Sequence, residues 1–470
     1  MGMKFVFRAL PVLILTACIA VQNGPVAAPG GSAGIPSAGS ILKSAFIKHV
    51  VIILQENRTP DDLFQALADE GANVRPWGID AKGKRQKLIE TSLATLYGLG
   101  HNHTAFVRDY DCGKLDGFDA GMQFKYHLHP FSYAPLSEVQ PYVDMARQYA
   151  FADHMFETQQ AGSFPAHQYI VSGAANAEPK SEDFVAGDPF DPKNGRAAPA
   201  GCDAETASVV DTIDPNDGSA GPTPPPCFNR PALSDLLDGK GVSWRYYQNG
   251  LGVGLWHAFD AIRHVRYGPD YRNVVTPPET ILNDVQNGQL PGMSWVMPAD
   301  SKHSDHPGND SNEGPSWVAA VVNAIGNSPY WNNTAILLTW DDWGGLYDHM
   351  VPPMENNWYE LGFRVPLVII SPYSKHGYVS HVQHEFGSLL AFSEEAFGIP
   401  KGALHATDVR SDDLSDAFDF KQTPTPFVTI SAPPFVPSQD PPAIRSGEDP
   451  EDDNGVVPDT PSCMTAGPRR

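Results

Sequence analysis

Between residues 45 and 422 the chain alternates short, nearly unbroken apolar runs with stretches whose apolar residues recur every three or four positions. Residues 50–54, 293–297, 335–340 and 365–370 are β-rich runs of the first kind. Strands buried on both faces of a parallel sheet require that composition. Residues 317–325 and 389–397 carry the helical spacing, as helices lying on such a sheet would. The pattern predicts an α/β fold around a central, mostly parallel sheet. The 44 prolines and 42 glycines add long loop insertions to that picture.

The two ends read differently. Lys4 and Arg8 lead into an apolar run over residues 9–20, which reads as an export leader and is too short to span a bilayer. The run ends in Leu15-Thr16-Ala17-Cys18, which resembles the bacterial lipoprotein box and implies diacylation of Cys18 as a membrane anchor. The alternative is an ordinary leader cleaved near Ala27 and Ala28. Myristoylation after Met1-Gly2 is excluded because Val6 stands where that signal needs Ser or Thr. Residues 19–44 read as a Gly/Ala/Pro linker, and the formal nucleophile-elbow pattern in Gly30-Gly31-Ser32-Ala33-Gly34 lacks the strand and helix it needs. Residues 423–470 form a Pro-rich acidic tail, leaving 45–422 as the main domain with an insertion over about 176–230. The expected location is the periplasm, the exterior, or a membrane reached through the anchor.

With 41% hydrophobic and 19% charged residues the chain can bury a large core. Its 32 basic against 55 acidic side chains leave a net charge of −23, which repels phosphate backbones and excludes nucleic-acid binding by bulk charge. Cys202 and Cys227 bracket a segment rich in Pro, Asp and Gly. In an exported chain a disulfide there is expected to contribute roughly 3 kcal/mol.

Candidate chemistry follows three of the apolar runs: Glu56-Asn57 after the first, Asp300 with Asp305-His306 after the second, and Asp341-Asp342 after the third. Ligands in open α/β sheets bind beyond the carboxyl ends of the strands. Glu56, Asn57, Asp341 and Asp342 are hard oxygen donors, and adjacent Asp341 and Asp342 repel each other unless a cation or hydrogen bonds offset the charge. Caps and turns also use these residue types, but acid-bearing ends on two strands favour the cation. Ser163, at the start of an expected helix, is either that helix's cap or a nucleophile activated by the helix terminus and a nearby cation. Among 16 histidines, His103 and His306 sit in polar loops where they could contact phosphate or protonate a leaving alcohol. His257 and His349 are weaker candidates, and His101, His303 and His384 weaker still. No His-Glu-x-x-His protease spacing occurs.

Several segments together resemble the bacterial phosphoesterase family of acid phosphatases and phospholipases C, a branch of the alkaline phosphatase-like superfamily. They are residues 49–61 (HVVIILQENRTPD), 113–119 (GKLDGFD), 152–154 (ADH), 305–307 (DHP), 340–349 (WDDWGGLYDH) and 364–366 (RVP), in the family's order over roughly 47–420. The resemblance implies an α/β/α sandwich and metal ligation by Glu56, Asn57, Asp341 and Asp342. It also implies a nucleophile at Ser163 and phosphate-contacting or acid/base roles for His103 and His306. Two departures stand out: Thr59 replaces the family's usual Ser, and Asp342 replaces a common Glu that is one methylene longer. The family's phosphocholine-specific enzymes carry a long region that has no counterpart after about residue 420. The expectation is an exported, metal-dependent phosphoesterase acting on a phosphate monoester or a phospholipid head group. The alternative is a non-catalytic surface lipoprotein that binds anionic ligands.

Overall fold

The computed structural model describes Met1, Gly2 and residues 43–437, except 97, 121–128, 179–180, 205–207, 216–217, 253 and 354–360. The expected leader with Cys18, the linker up to residue 42 and the tail beyond 437 lie outside the described residues. Among the described residues no helix is long and apolar enough to cross a membrane.

Eight strands form the central sheet: β1 (His49–Gln55), β2 (Ala150–Ala152), β3 (Trp244–Tyr247), β4 (Val274–Val275), β5 (Met293–Val296), β6 (Thr334–Trp340), β7 (Leu367–Ile370) and β8 (Tyr378–Ser380). Their spatial order is β4-β3-β5-β1-β6-β7-β2-β8. All neighbours run parallel except at β7, which is antiparallel to both β6 and β2. The run at 365–370, expected as a parallel strand, is thus reversed. A strand buried on both faces needs an apolar run whichever way it points, so composition carries no direction.

Residues 50–54 of β1 are wholly buried, each large side chain contributing roughly 1.5–3 kcal/mol. Burial of consecutive residues means that both faces of the sheet are covered. One cover is α2 (Leu136–Gln148) against α4 (Gly314–Gly326); α1 (His103–Tyr110) lies outside it, and α3 (Ser163–Ser172) packs with α5 (Phe386–Ala396) as a separate pair. Tyr142 of α2 stands edge-on to Trp340 of β6 at 5.0 Å, and Trp317 of α4 donates its indole N–H to the Met297 carbonyl at 3.1 Å. Every residue of α3 is buried, and the helix ends at Gly173 in a left-handed conformation.

The segment after α3 forms two short ribbons, Phe184–Val185 with Thr212–Ile213 and Phe190–Asp191 with Arg196–Ala197, closed by a Cys202–Cys227 disulfide. Residues 423–437 lie along α4. Ile430 exchanges hydrogen bonds with the Asn323 side chain, and the Phe435 ring packs 4.9 Å from Trp317.

Candidate active site

Register brings the first acids together. β1 and β6 pair along their whole length, Gln55 opposite Trp340, so the next residues, Glu56 and Asp341, leave the sheet side by side. The Asp341 N–H still bonds the Gln55 carbonyl at 3.1 Å, which fixes that exit. Asn57 then turns with φ of 59°, a left-handed value that asparagine tolerates better than most residues. Its own N–H reaches Asp341 Oδ1 at 2.9 Å.

Asp342 is held by the turn that follows it, with Gly344 N–H donating to Oδ1 at 2.7 Å. Gly344 has φ of +63°, and a Cβ there would meet the Asn57 carbonyl oxygen at 2.5 Å. A Cβ on Gly345, at φ of +70°, would meet the Leu99 Cβ at 2.5 Å and the Gly100 carbonyl oxygen at 2.8 Å. Only glycines let this turn pass under Asn57 and the Leu99–His101 stretch.

The third element is α3. Gly162 occupies the cap position and has no side chain to cap with; Ser163 is the helix's first residue. The Phe164 N–H is instead taken by Asp188 Oδ1 at 2.8 Å, reaching over from the insertion. The Ser163 hydroxyl is left to point at Asp342 Oδ2, 3.2 Å away, and Glu56 Oε2, 3.3 Å away. One turn further on, the same face presents His167, whose Nε2 lies 3.2 Å from Glu56 Oε1 and 3.7 Å from Asp341 Oδ2. Sequence reasoning missed His167. The signal was its i, i+4 spacing from Ser163, which puts both on one helix face.

Glu56, Asn57, Ser163, His167, Asp341 and Asp342 are all buried, and no Arg or Lys pairs with the three carboxylates among the described residues. Burial, then the charges of Asp341 and Asp342, push Glu56 well above the usual carboxylate range. Burial would push Asp341 up as well, but His167 and Glu56 beside it outweigh that and hold Asp341 low. Glu157, also buried, is raised by that burial and then by the charge of Asp342. Two acceptors in the cluster, Asn57 Oδ1 and Asp341 Oδ2, are buried without a hydrogen bond. Buried oxygens of that kind are costly unless a cation takes them.

The histidines divide. His101 donates from Nδ1 to the Leu99 carbonyl at 2.6 Å, so its Nε2 accepts from Asn57 Nδ2 at 2.9 Å. That bond turns Asn57 Oδ1 away as the free acceptor. His306 is half-buried, its ring 5.8 Å from His101 and its Nδ1 bonded to the Pro307 carbonyl. His103 opens α1 and bonds the Gln160 carbonyl at 2.8 Å, just before Ser163; burial lowers its pKa to about 4, so it stays neutral. His257 bonds Asn249 at 2.8 Å and faces Asp260 at 3.3 Å, on a loop touching α3 through Gln168 rather than through the carboxylates.

The acids after β5 go elsewhere. Asp300 caps the turn at Ser301–His303, and Asp305 is sunk in the core, accepting from Tyr142 at 2.8 Å and Trp340 at 3.0 Å. His349 bonds Asp61, and Arg364 forks onto Asp348, in a separate buried network.

Residues 47–400 match the Phosphoesterase family. The chain belongs to that family. It is 28% identical over 260 residues to phospholipase C B of Mycobacterium tuberculosis, covering 46% of this chain and 49% of that protein. It is 24% identical over 431 residues to the non-hemolytic phospholipase C of Pseudomonas aeruginosa, covering 80% of this chain and 57% of that protein. The chain thus spans about half the length of the curated relatives it matches. Among solved structures, an alkaline phosphatase superfamily protein from Vibrio parahaemolyticus aligns over 79% of this chain and 70% of its own, with 12% identity and a TM-score of 0.35.

Proposed function

We propose that this protein is an exported phosphoesterase, hydrolysing a phosphate monoester or a phospholipid head group with Ser163 as nucleophile and a divalent cation as cofactor. The observation that carries the proposal is the Ser163 hydroxyl, which serves no cap and points at two buried carboxylates, Glu56 and Asp342. The residues present fit a cation: hard oxygen donors, excess buried negative charge, and orphaned oxygens on Asn57 and Asp341. Glu56, Asn57, Asp341 and Asp342 would hold it, and when bound it would supply charge stabilisation for phosphate oxygens and lower the serine pKa.

Ser163 Oγ bonds to phosphorus as the phosphorus–oxygen bond to the leaving alcohol breaks, and the hydroxyl proton passes to Asp342 Oδ2 or Glu56 Oε2. The departing alkoxide takes a proton from the histidine rim, where His306 is the most open member. Neutral His103 serves as a hydrogen-bond donor or acceptor, not as a charge. Water then hydrolyses the phosphoserine. Asp188 holds the helix terminus without occupying Ser163, which keeps the hydroxyl aimed.

The direct test is hydrolysis of p-nitrophenyl phosphate and p-nitrophenyl phosphorylcholine, each with and without a chelator. Activity on either ester that the chelator abolishes and a divalent cation restores is expected. Binding of both esters without turnover under all metals would overturn the proposal in favour of a binding protein. The ratio of the two rates separates monoester from diester preference.

A further inference from the structure

A second cluster of ligand atoms lies at the end of a different strand pair, and sheet register builds it. β2 and β8 run parallel with Ala152 opposite Ser380, so the next residues, Asp153 and His381, emerge together. The ladder continues one step beyond, with Asp153 N–H bonding the Ser380 carbonyl at 3.1 Å. His154 follows Asp153, and its carbonyl is fixed by the His384 N–H at 2.9 Å. The outcome is one fully buried carboxylate under two imidazoles on the rim: the His154 side chain is 22% exposed and that of His381 54%.

The donor atoms converge. His381 Nδ1 is 2.8 Å and His154 Nε2 3.8 Å from Asp153 Oδ1, and the three atoms all lie within 4.8 Å of one another. Ligands at roughly 2.0–2.1 Å in a tetrahedral zinc site stand about 3.3 Å apart, so small side-chain rotations suffice. Outer contacts orient the set. Asp153 Oδ2 accepts the Asn73 N–H, leaving Oδ1 for the imidazoles. A relay fixes His154: His349 Nε2 donates to Asn73 Oδ1 at 3.0 Å, and Asn73 Nδ2 faces His154 Nε2 at 3.1 Å. The Met350 sulfur accepts from the same Nδ2, which supports that amide orientation. His154 Nε2 therefore carries no proton, the form that ligates metals, and a cation would take its lone pair from the Asn73 amide. The positive charge beneath, Arg364, is neutralised by Asp348 and Asp61.

We propose that Asp153, His154 and His381 form a surface site for a divalent transition cation such as zinc, separate from the carboxylates around Ser163. Two imidazoles and one carboxylate suit zinc, cobalt or nickel better than magnesium or calcium, and three protein ligands leave a fourth position open. A cation there would tie the loop after β8, which leads into α5, to the end of β2.

Full-length protein stripped of metal is titrated with Zn²⁺ by calorimetry and with Co²⁺ by visible absorbance, alongside His381→Ala, His154→Ala and Asp341→Asn. His381 is over half exposed, so its replacement leaves the fold intact, which circular dichroism checks. Wild type and Asp341→Asn are expected to share a Co²⁺ band and a Zn²⁺ equivalent that both histidine variants lose, while His381→Ala still hydrolyses p-nitrophenyl phosphate. Unchanged Zn²⁺ stoichiometry and affinity in both histidine variants would overturn the proposal, leaving an Asp–His hydrogen-bond cluster. Because the decisive readout is a Zn²⁺ equivalent that Asp341→Asn keeps and the histidine variants lose, it holds or fails independently of the function proposed for Ser163.

Discussion

Two buried polar regions grow from the same two loops of this protein. The loop after β1 sends Glu56 and Asn57 one way and Arg58 and Asp61 the other; the loop after β6 does the same with Asp341 and Asp342, then Asp348 and His349. In the second region guanidiniums answer the carboxylates. Arg364 forks onto Asp348 at 2.8–3.1 Å and lies 3.5 Å from Asp61, while Arg58 bonds Asp62 and the Asp305 carbonyl. In the first, three carboxylates gather with no guanidinium and two orphaned oxygens. Both are buried but for the partly exposed His349, so burial alone does not mark a functional site. The difference is compensation: a network that satisfies itself holds the fold, and one left unsatisfied is built for something absent from the chain.

Substitutions should separate the two regions. The largest effect is expected at Ser163→Ala, where turnover should fall by about three or more orders of magnitude while the melting temperature stays near wild type, since the hydroxyl caps nothing. A well-folded, active alanine variant would make a water molecule the attacking group. Arg364→Met should do the reverse, costing about 3–5 kcal/mol in denaturant unfolding by stranding Asp348 and Asp61, with hydrolysis per folded molecule largely kept.

Acidification probes His103. Burial depresses its pKa from 6.5 to about 4, so between those values the unfolded chain binds more protons than the native one. Its contribution is complete above pH 6.5 and is lost as the pH falls towards 4, amounting to roughly 3 kcal/mol. His103→Asn should flatten that part of the stability profile; an unchanged profile would mean that other groups set it.

The smallest stability effect is expected at Glu56→Gln. Without a cation Glu56 is already pushed towards its neutral form, which glutamine imitates. Metal-free stability should shift by no more than about 1 kcal/mol, while cation binding by calorimetry should be lost. A large loss of metal-free stability would place Glu56 with the self-satisfied network instead.

Apolar continuity and strand-end chemistry were legible in the chain itself. Residues 50–54 and 335–340 cannot stay in water, and acids following them must collect at one edge of a sheet. The short strands β2 and β8 and the fully buried α3 gave weaker signals, because three residues set no period and a helix buried all round, polar residues included, shows no clean stripe. Spacing from Ser163 could have revealed His167, but only within a helix whose buried face was known.

Tertiary structure decided the rest. It reversed β7, which composition could not orient. It sent Asp305 into the core and Asp341 to the site, although both follow buried strands, because their neighbours differ: Tyr142 and Trp340 donate to Asp305, whereas Asp341 meets Glu56 and His167. It also took Ser163 out of the cap position, which Gly162 holds while Asp188 accepts the Phe164 N–H. Residue type and local pattern fix what a side chain can do; which partner it finds depends on contacts between segments more than 100 residues apart, such as Glu56 with Ser163 and Ser163 with Asp342.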